Sequence, residues 1–202
     1  GDVMSELGLV GSSTRILLAL VVVVVPPLSP ATIVVTGGCT LPDAIAAANT
    51  DTATGGCAAG SSADTVPLTG VVSLNTAHSG QDGTPAVTST ITVDGNGFTV
   101  ERASGAPDFR LFNVGGSGDL TLDDVVLTNG SVTGVLNGGG AITNSGTLTV
   151  NGSRIVANAA SFSGGGIFND GVATIVNSTI SGNDTDEDGG GINSNFGAET
   201  AV

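Results

Sequence analysis

The chain of 202 residues contains no lysine, no tryptophan and no tyrosine, one histidine (His78), two cysteines and four arginines. Nucleic acid is held by clustered cations, and four Arg against 18 acidic residues, a net charge of −14, argue against DNA or RNA as a partner. Aromatic residues make up 3% of the chain. Its core must therefore be built from Val, Ile, Leu, Ala and a few Phe, in thin layers. A single His and two Cys also fall short of the ligand sets that hold transition metals.

Glycine, by contrast, is abundant, with 33 residues, and part of it is periodic. Gly139-Gly140-Ala141-Ile142-Thr143-Asn144 recurs as Gly164-Gly165-Gly166-Ile167-Phe168-Asn169 and as Gly189-Gly190-Gly191-Ile192-Asn193-Ser194, and the two steps are equal (164−139 and 189−164). Between these marks, Gly146-Thr147-Leu148-Thr149-Val150 lies over Gly171-Val172-Ala173-Thr174-Ile175, and Ser153, Ile155 and Asn158 lie over Ser178, Ile180 and Asn183. A fixed interval in sequence is the mark of a stacked unit in space. Helical repeats need continuous amphipathic helices, whereas these units alternate apolar and polar residues and are rich in Gly, Asn, Thr and Val, which reads as short strands. The expected fold is all-β, a right-handed parallel β-helix of about 25 residues per coil, with coils about 4.8 Å apart. Ile142/Ile167/Ile192, Val150/Ile175 and Ile155/Ile180 would form its inner ladders. Asn144 over Asn169 and Asn158 over Asn183 are expected at turns, either as left-handed turn formers or as stacked amides bonded along the axis.

At the N-terminal end, Arg15 precedes ten apolar residues, Ile16 to Val25, that stop at Pro26-Pro27. Ten is too few to span a bilayer as a helix. The run fits the apolar part of a secretory signal, with Ser29-Pro30-Ala31 offering small residues before a cut after Ala31. Residues 1–31 are expected to be a signal peptide starting at Met4, and the mature chain to be secreted or at the cell surface with no membrane span. A membrane anchor or a buried apolar strand are the alternatives.

Next comes Cys39-Thr40-Leu41-Pro42-Asp43-Ala44-Ile45. Thr40 and Asp43 have capping-box spacing, and Leu41, Ile45 and Ala48 share one face of a short helix. In an exported chain, Cys39 and Cys57 most simply form a disulfide. Two thiols are too few for a metal site, and no basic group nearby in sequence would activate a reactive thiol pair. The segment resembles the Cys-Ser-Leu-Arg-Glu-Ala-Ile signature of the bacterial CSLREA domain, departing from it at Thr40, Pro42 and Asp43. Gly55-Gly56-Cys57-Ala58-Ala59-Gly60, Ala63-Asp64-Thr65-Val66 and Leu68 continue the pattern. That resemblance implies an exported surface protein in which the module, here residues 32–65, precedes a right-handed parallel β-helix. The glycine mark is also similar to the repeat of polymorphic outer-membrane proteins, without a clean companion Phe-x-x-Asn.

Residues 66–202 are assigned to the β-helix. Val66 to Asn75 and Ile91 to Val100 read as its first strands, joined by a polar loop that holds His78, Asp82 and Pro85. Asp94-Gly95-Asn96-Gly97 is a turn signal, and Phe109 to Val114 and Leu120 to Leu127 supply further segments. About five coils are expected. The open last rung that Val202 would leave points to a fragment of a longer protein.

Parallel β-helices include polysaccharide lyases and glycosidases, so an enzyme with its site outside these residues is the rival to a non-catalytic, adhesin-like segment that presents loops to a surface glycan or protein. Lyases need a basic group on a groove, and inverting glycosidases need carboxylates about 6.5–9.5 Å apart. The adjacent acidic pair Asp123-Asp124 would point to opposite faces of a strand. Asp184, Asp186 and Asp188, followed by Gly189, have the alternating spacing that opens a calcium loop. Asn195 stands where a bidentate Glu should be, and the preceding coil has no acid there. A solvated acidic loop is the competing account. For an ice-binding face, Thr149 over Thr174 gives one row only.

Overall fold

The computed structural model describes residues 29–134, 138–195 and 197–202. Residues 1–28, and with them Met4 and the apolar run of the expected signal, lie outside the described residues. All the strand ladders are parallel, and they stack into a β-solenoid with one helix near its start. From the coil of Asp119 onward, each complete coil visits four sheets. In the coil of Asp119 these are Asp119–Asp123 in a seven-stranded sheet I, Val126–Thr128 in sheet II, Ser131–Val132 in sheet III and Ile142–Asn144 in sheet IV.

Alternation within each strand decides what is inside. In Thr147–Asn151 the side chains of Leu148 and Val150 are buried, and they stand over Leu120 and Leu122 below and under Ala173 and Ile175 above. Ile142 pairs with Ile167, and Ile167 with Ile192, as the glycine mark predicted. Ile155 likewise pairs with Ile180. The ladders continue down through Ile91 and Val93 to Asp64 and Val66, on the strand against which the cap helix packs.

The constant step of the glycine mark is local. Down sheet I, Ala63, Thr90, Asp119, Thr147, Val172 and Glu199 are successive partners, and the steps between them are unequal. The shortest runs from Thr147 to Val172, inside the stretch where the repeat is visible, and the longest from Thr90 to Asp119. In sheet IV the step from Phe112 to Ile142 is likewise longer than that from Ile142 to Ile167, because more chain separates Val114 from Asp119 than Asn144 from Thr147, and Val132 from Ile142 than Ala160 from Ile167. Extra chain is accommodated at corners, which leaves the ladders in register. The two long runs expected as the first strands also bend at corners, giving Ala63–Pro67 with Val72–Leu74 and Thr90–Asp94 with Thr99–Arg102.

The glycine mark is a corner between sheets III and IV. Gly164 has φ +64°, and a Cβ on Gly165 would lie 2.2 Å from the Asp184 carbonyl oxygen, so the first glycine supplies a left-handed turn and the second lets two coils touch. The corner from sheet I to II is left-handed at Asp124 and Asn177, and the corner from II to III at Asn129 and Ala157. None of Asn144, Asn158, Asn169 and Asn183 has positive φ. They serve instead as rungs of polar ladders. Asn158 Oδ1 accepts from the Gly130 N–H at 2.9 Å, and Asn183 Oδ1 accepts from the Asn158 N–H at 3.0 Å. Ser153 and Ser178 repeat the device one corner away, accepting from the N–H groups of Val125 and Ser153. Ser163, which precedes the glycine mark and reads as a loop surface in the sequence, is buried.

Sheet I carries a column of outward threonines longer than the visible repeat reveals. Thr32, Thr65, Thr92, Thr121, Thr149 and Thr174 are successive partners. Cross-strand Thr pairs contribute about 0.2–1 kcal/mol each, which accounts for the column as sheet stabilisation. The column beside it is mixed, running Ala63, Thr90, Asp119, Thr147, Val172 and Glu199, so the face is not the regular two-column array that an ice-binding surface calls for.

The helix Leu41–Thr50 closes the N-terminal end. Thr40 is its N-cap and accepts from the Asp43 N–H, Pro42 sits in the first turn, and Asp51 ends it in the left-handed region. Leu41, Ala44, Ile45, Ala47 and Ala48 are buried against the first coil. Full burial of an Ile or Leu is worth about 1.5–3 kcal/mol, so this face covers an end that would otherwise expose apolar side chains and strand edges to water. Asn49 ties the helix to the next loop, donating to the Ala86 carbonyl and accepting from the Thr88 N–H, both at 2.8 Å.

Candidate functional site

The sulfurs of Cys39 and Cys57 lie 1.98 Å apart, joining the residue before the helix cap to the loop after the helix. Gly55 and Gly56 make this approach feasible, because a Cβ on Gly56 would lie 2.1 Å from the Gly38 carbonyl oxygen. Cys57 Sγ also sits 3.8 Å from the Thr40 carbonyl oxygen.

The three acids of the expected calcium loop are not gathered. Asp184 begins the short strand Asp184–Thr185, Asp186 and Asp188 lie in the turn after it, and all three are exposed. No group of three or more His, Cys, Asp or Glu side chains is placed to hold a metal among the described residues. Asp184 is held in the strand ladder while Asp186 and Asp188 follow in the turn, whereas a calcium loop must curl as a whole to make alternate carboxylates converge.

Asp123 ends the strand Asp119–Asp123 and Asp124 is the left-handed corner after it, so the two are not neighbours on one strand, and the partner of Asp123 comes from the neighbouring coils. It lies over Asp94 on the outward face of sheet I and under Asn151, whose Nδ2 donates to Asp123 Oδ1 at 2.8 Å. Asp94 in turn accepts from the Asn96 N–H at 3.3 Å. Both carboxylates are thus occupied in holding a corner.

No family model, curated protein or solved structure matches this chain. What it can bind must be read from its own surface chemistry.

Two of the arginines are built into the coils. Arg110 is 8% exposed, with Nε 2.9 Å from Asp82 Oδ1 and Nη1 donating to the Gly138 carbonyl at 2.8 Å. Burial lowers the pKa of its guanidinium, and the Asp82 charge partly restores it. Asn113 Nδ2 donates to Asp82 Oδ2 at 2.8 Å. The polar loop of His78, Asp82 and Pro85 is thereby pinned under sheet IV, where Asp82 bridges Arg110 and Val87 bridges Val114. Sequence spacing could not have shown this pair, since the partners are a full coil apart in the chain and the loop has no repeat equivalent.

Arg102 is placed differently. It ends the strand Thr99–Arg102 at the corner between sheets II and III, on a polar groove of about 320 Å³ lined by Arg102, Ser104, Asn129, Gly130, Ser131 and Ala157, among others. Its Nε donates to the Asn129 carbonyl at 2.8 Å and its Nη1 to the Ala106 carbonyl at 2.7 Å. The groove exists because the corner column shortens from Arg102 to Asn129 to Ala157 in successive coils. This groove went unpredicted, although the shrinking column is visible in sequence once the register is known.

Proposed function

We propose that the chain is a non-catalytic, exported surface segment, a capped β-solenoid that presents its corner loops and grooves to a surface glycan or protein. The observation that carries the reading is the cap, with its paired cysteines beside a helix that seals the first coil. Disulfides persist in oxidising, extracytoplasmic compartments. The resemblance of Cys39 to Ile45 to the CSLREA module, and the signal-like residues 1–31, support export in the same direction. The solenoid favours binding over chemistry for a physical reason. Its corners repeat with small changes, which gives a long ribbon of similar shallow sites, as in other repeat proteins that bind along extended surfaces.

The reading is tested on the exported protein. Protease shaving of intact producing cells, followed by a glycan-array screen of the purified chain, should find it accessible and binding. Cleavage of pectin-type or other acidic polysaccharide by that protein would overturn it in favour of a β-helix enzyme.

A further inference from the structure

The groove at the corner between sheets II and III holds a cation whose charge the fold leaves uncompensated. Two backbone carbonyls fix the Arg102 guanidinium through Nε and Nη1, and Nη2 takes no protein acceptor among the described residues. The one ion pair among the described residues is Arg110 with Asp82, so no carboxylate pairs with Arg102 in a chain that carries 18 acidic residues. A guanidinium anchored on one side presents its remaining donors in a fixed orientation, which suits a planar carboxylate. The rest of the groove is small or hydroxylic. Ala157, small and exposed, leaves space above the backbone, and Ser104, Ser131 and Asn129 provide hydrogen-bonding groups.

We propose that this groove is a subsite for a uronate, the carboxylate-bearing sugar unit of an acidic glycan, with the carboxylate on Arg102 and the ring hydroxyls on the serine and asparagine side chains. This deepens the binding reading above and rests on it. Charge selects the class: one guanidinium balances one carboxylate, whereas a phosphate dianion would leave a negative charge unpaired inside the field of a chain of net charge −14. Size agrees, because about 320 Å³ lies at the small end of ligand sites, which run from about 300 to 1,000 Å³. The lining contains no aromatic ring, so the sugar is held by hydrogen bonds rather than by stacking.

The test is a titration of the labelled protein with sodium D-galacturonate, D-galactose and sodium acetate, followed by amide NMR shifts. Saturable shifts at Ser104, Asn129 and Ser131 are expected with galacturonate, with responses at least tenfold weaker for the neutral sugar and for acetate, as expected when a charge-assisted contact and ring contacts are each required. Arg102→Gln should abolish the response and Arg154→Gln should leave it unchanged. Because Arg102 also holds two carbonyls, Ala157→Asn is the second variant. Asn tolerates the left-handed backbone at this position and fills the groove floor while leaving Arg102 in place. No saturable shift with galacturonate overturns the proposal. So does an equal response to galactose or acetate, or binding that survives both groove variants. If the chain binds on a glycan array yet shows no galacturonate response, the subsite fails while the binding reading stands.

Discussion

The side-chain amide of Asn144 donates to Asn169 Oδ1 at 2.7 Å across two coils, with both side chains fully buried. Each also closes its own corner. Asn144 Oδ1 accepts from the Gly146 N–H at 3.1 Å, and Asn169 Oδ1 from the Gly171 N–H at 3.2 Å. Removing Asn169 leaves donors without their acceptor, which costs about 1–3 kcal/mol per buried group. Asn144→Ala, Asn169→Ala and the double variant should therefore show a coupling of about 0.5–3 kcal/mol in urea denaturation. Strict additivity would mean that the two amides are independent turn residues.

Ile167 is fully buried between Ile142 and Ile192. Ile167→Asp places an unpaired carboxylate in that ladder and should cost several kcal/mol or force the group to protonate, in line with the transfer penalty of a buried polar group. Thr179, exposed and in register with Arg154, is the control. Thr179→Asp should stay within about 0.5 kcal/mol of the parent. Equal denaturation midpoints for the two variants would refute the ladder.

Cys39 and Cys57 should appear in non-reducing mass spectrometry as one linked peptide pair. The loop-entropy relation gives about 3 kcal/mol for a closure of this size, lost on reduction. Hydrogen exchange should then quicken in the helix Leu41–Thr50 and in the strand Ala63–Pro67 before it does around Thr147–Asn151, because coupling along a solenoid runs mainly between neighbours. Native protein that titrates two free thiols would contradict the pairing.

Asp64 is 3% exposed, and its Oδ2 has no hydrogen-bond partner. Burial raises its pKa above the ordinary Asp value and the charge of Asp51 adds to this, while hydrogen bonds from Ser61 and Ala31 pull it back. The folded chain therefore holds a proton over a range in which the unfolded chain has lost it. Stability then falls as pH rises from the usual Asp range through the raised value. Asp64→Asn should remove that slope while keeping the bond from the Ser61 N–H. Parallel stability–pH curves for parent and variant would rule out the effect.

Ala157 is exposed with φ +55°, in a column where Asn129 and Gly182 also adopt the left-handed region. A left-handed Ala costs roughly 1–2 kcal/mol, part of which Gly gives back through its freer unfolded chain. Ala157→Gly should raise stability by about 0.5–1 kcal/mol. A lower midpoint would show that the methyl group packs usefully at this corner.

Sequence alone determined the stacked class of this fold, because Ile142, Ile167 and Ile192 share one place in a repeating unit and an apolar ladder needs like residues at equal steps. It also marked the cap helix through Thr40, Asp43 and the spacing of Leu41, Ile45 and Ala48, since capping and amphipathicity are local. The coil lengths away from the glycine mark were beyond its reach, because corners absorb insertions without disturbing the ladders. Only the tertiary register could place Thr32, Thr65 and Thr92 in the column of Thr149, set Asp82 against Arg110, or put Arg102 beside Asn129 and Ala157. Those contacts join residues a coil apart at unequal steps. No local propensity encodes them, and they follow from which backbone groups pair when the coils stack.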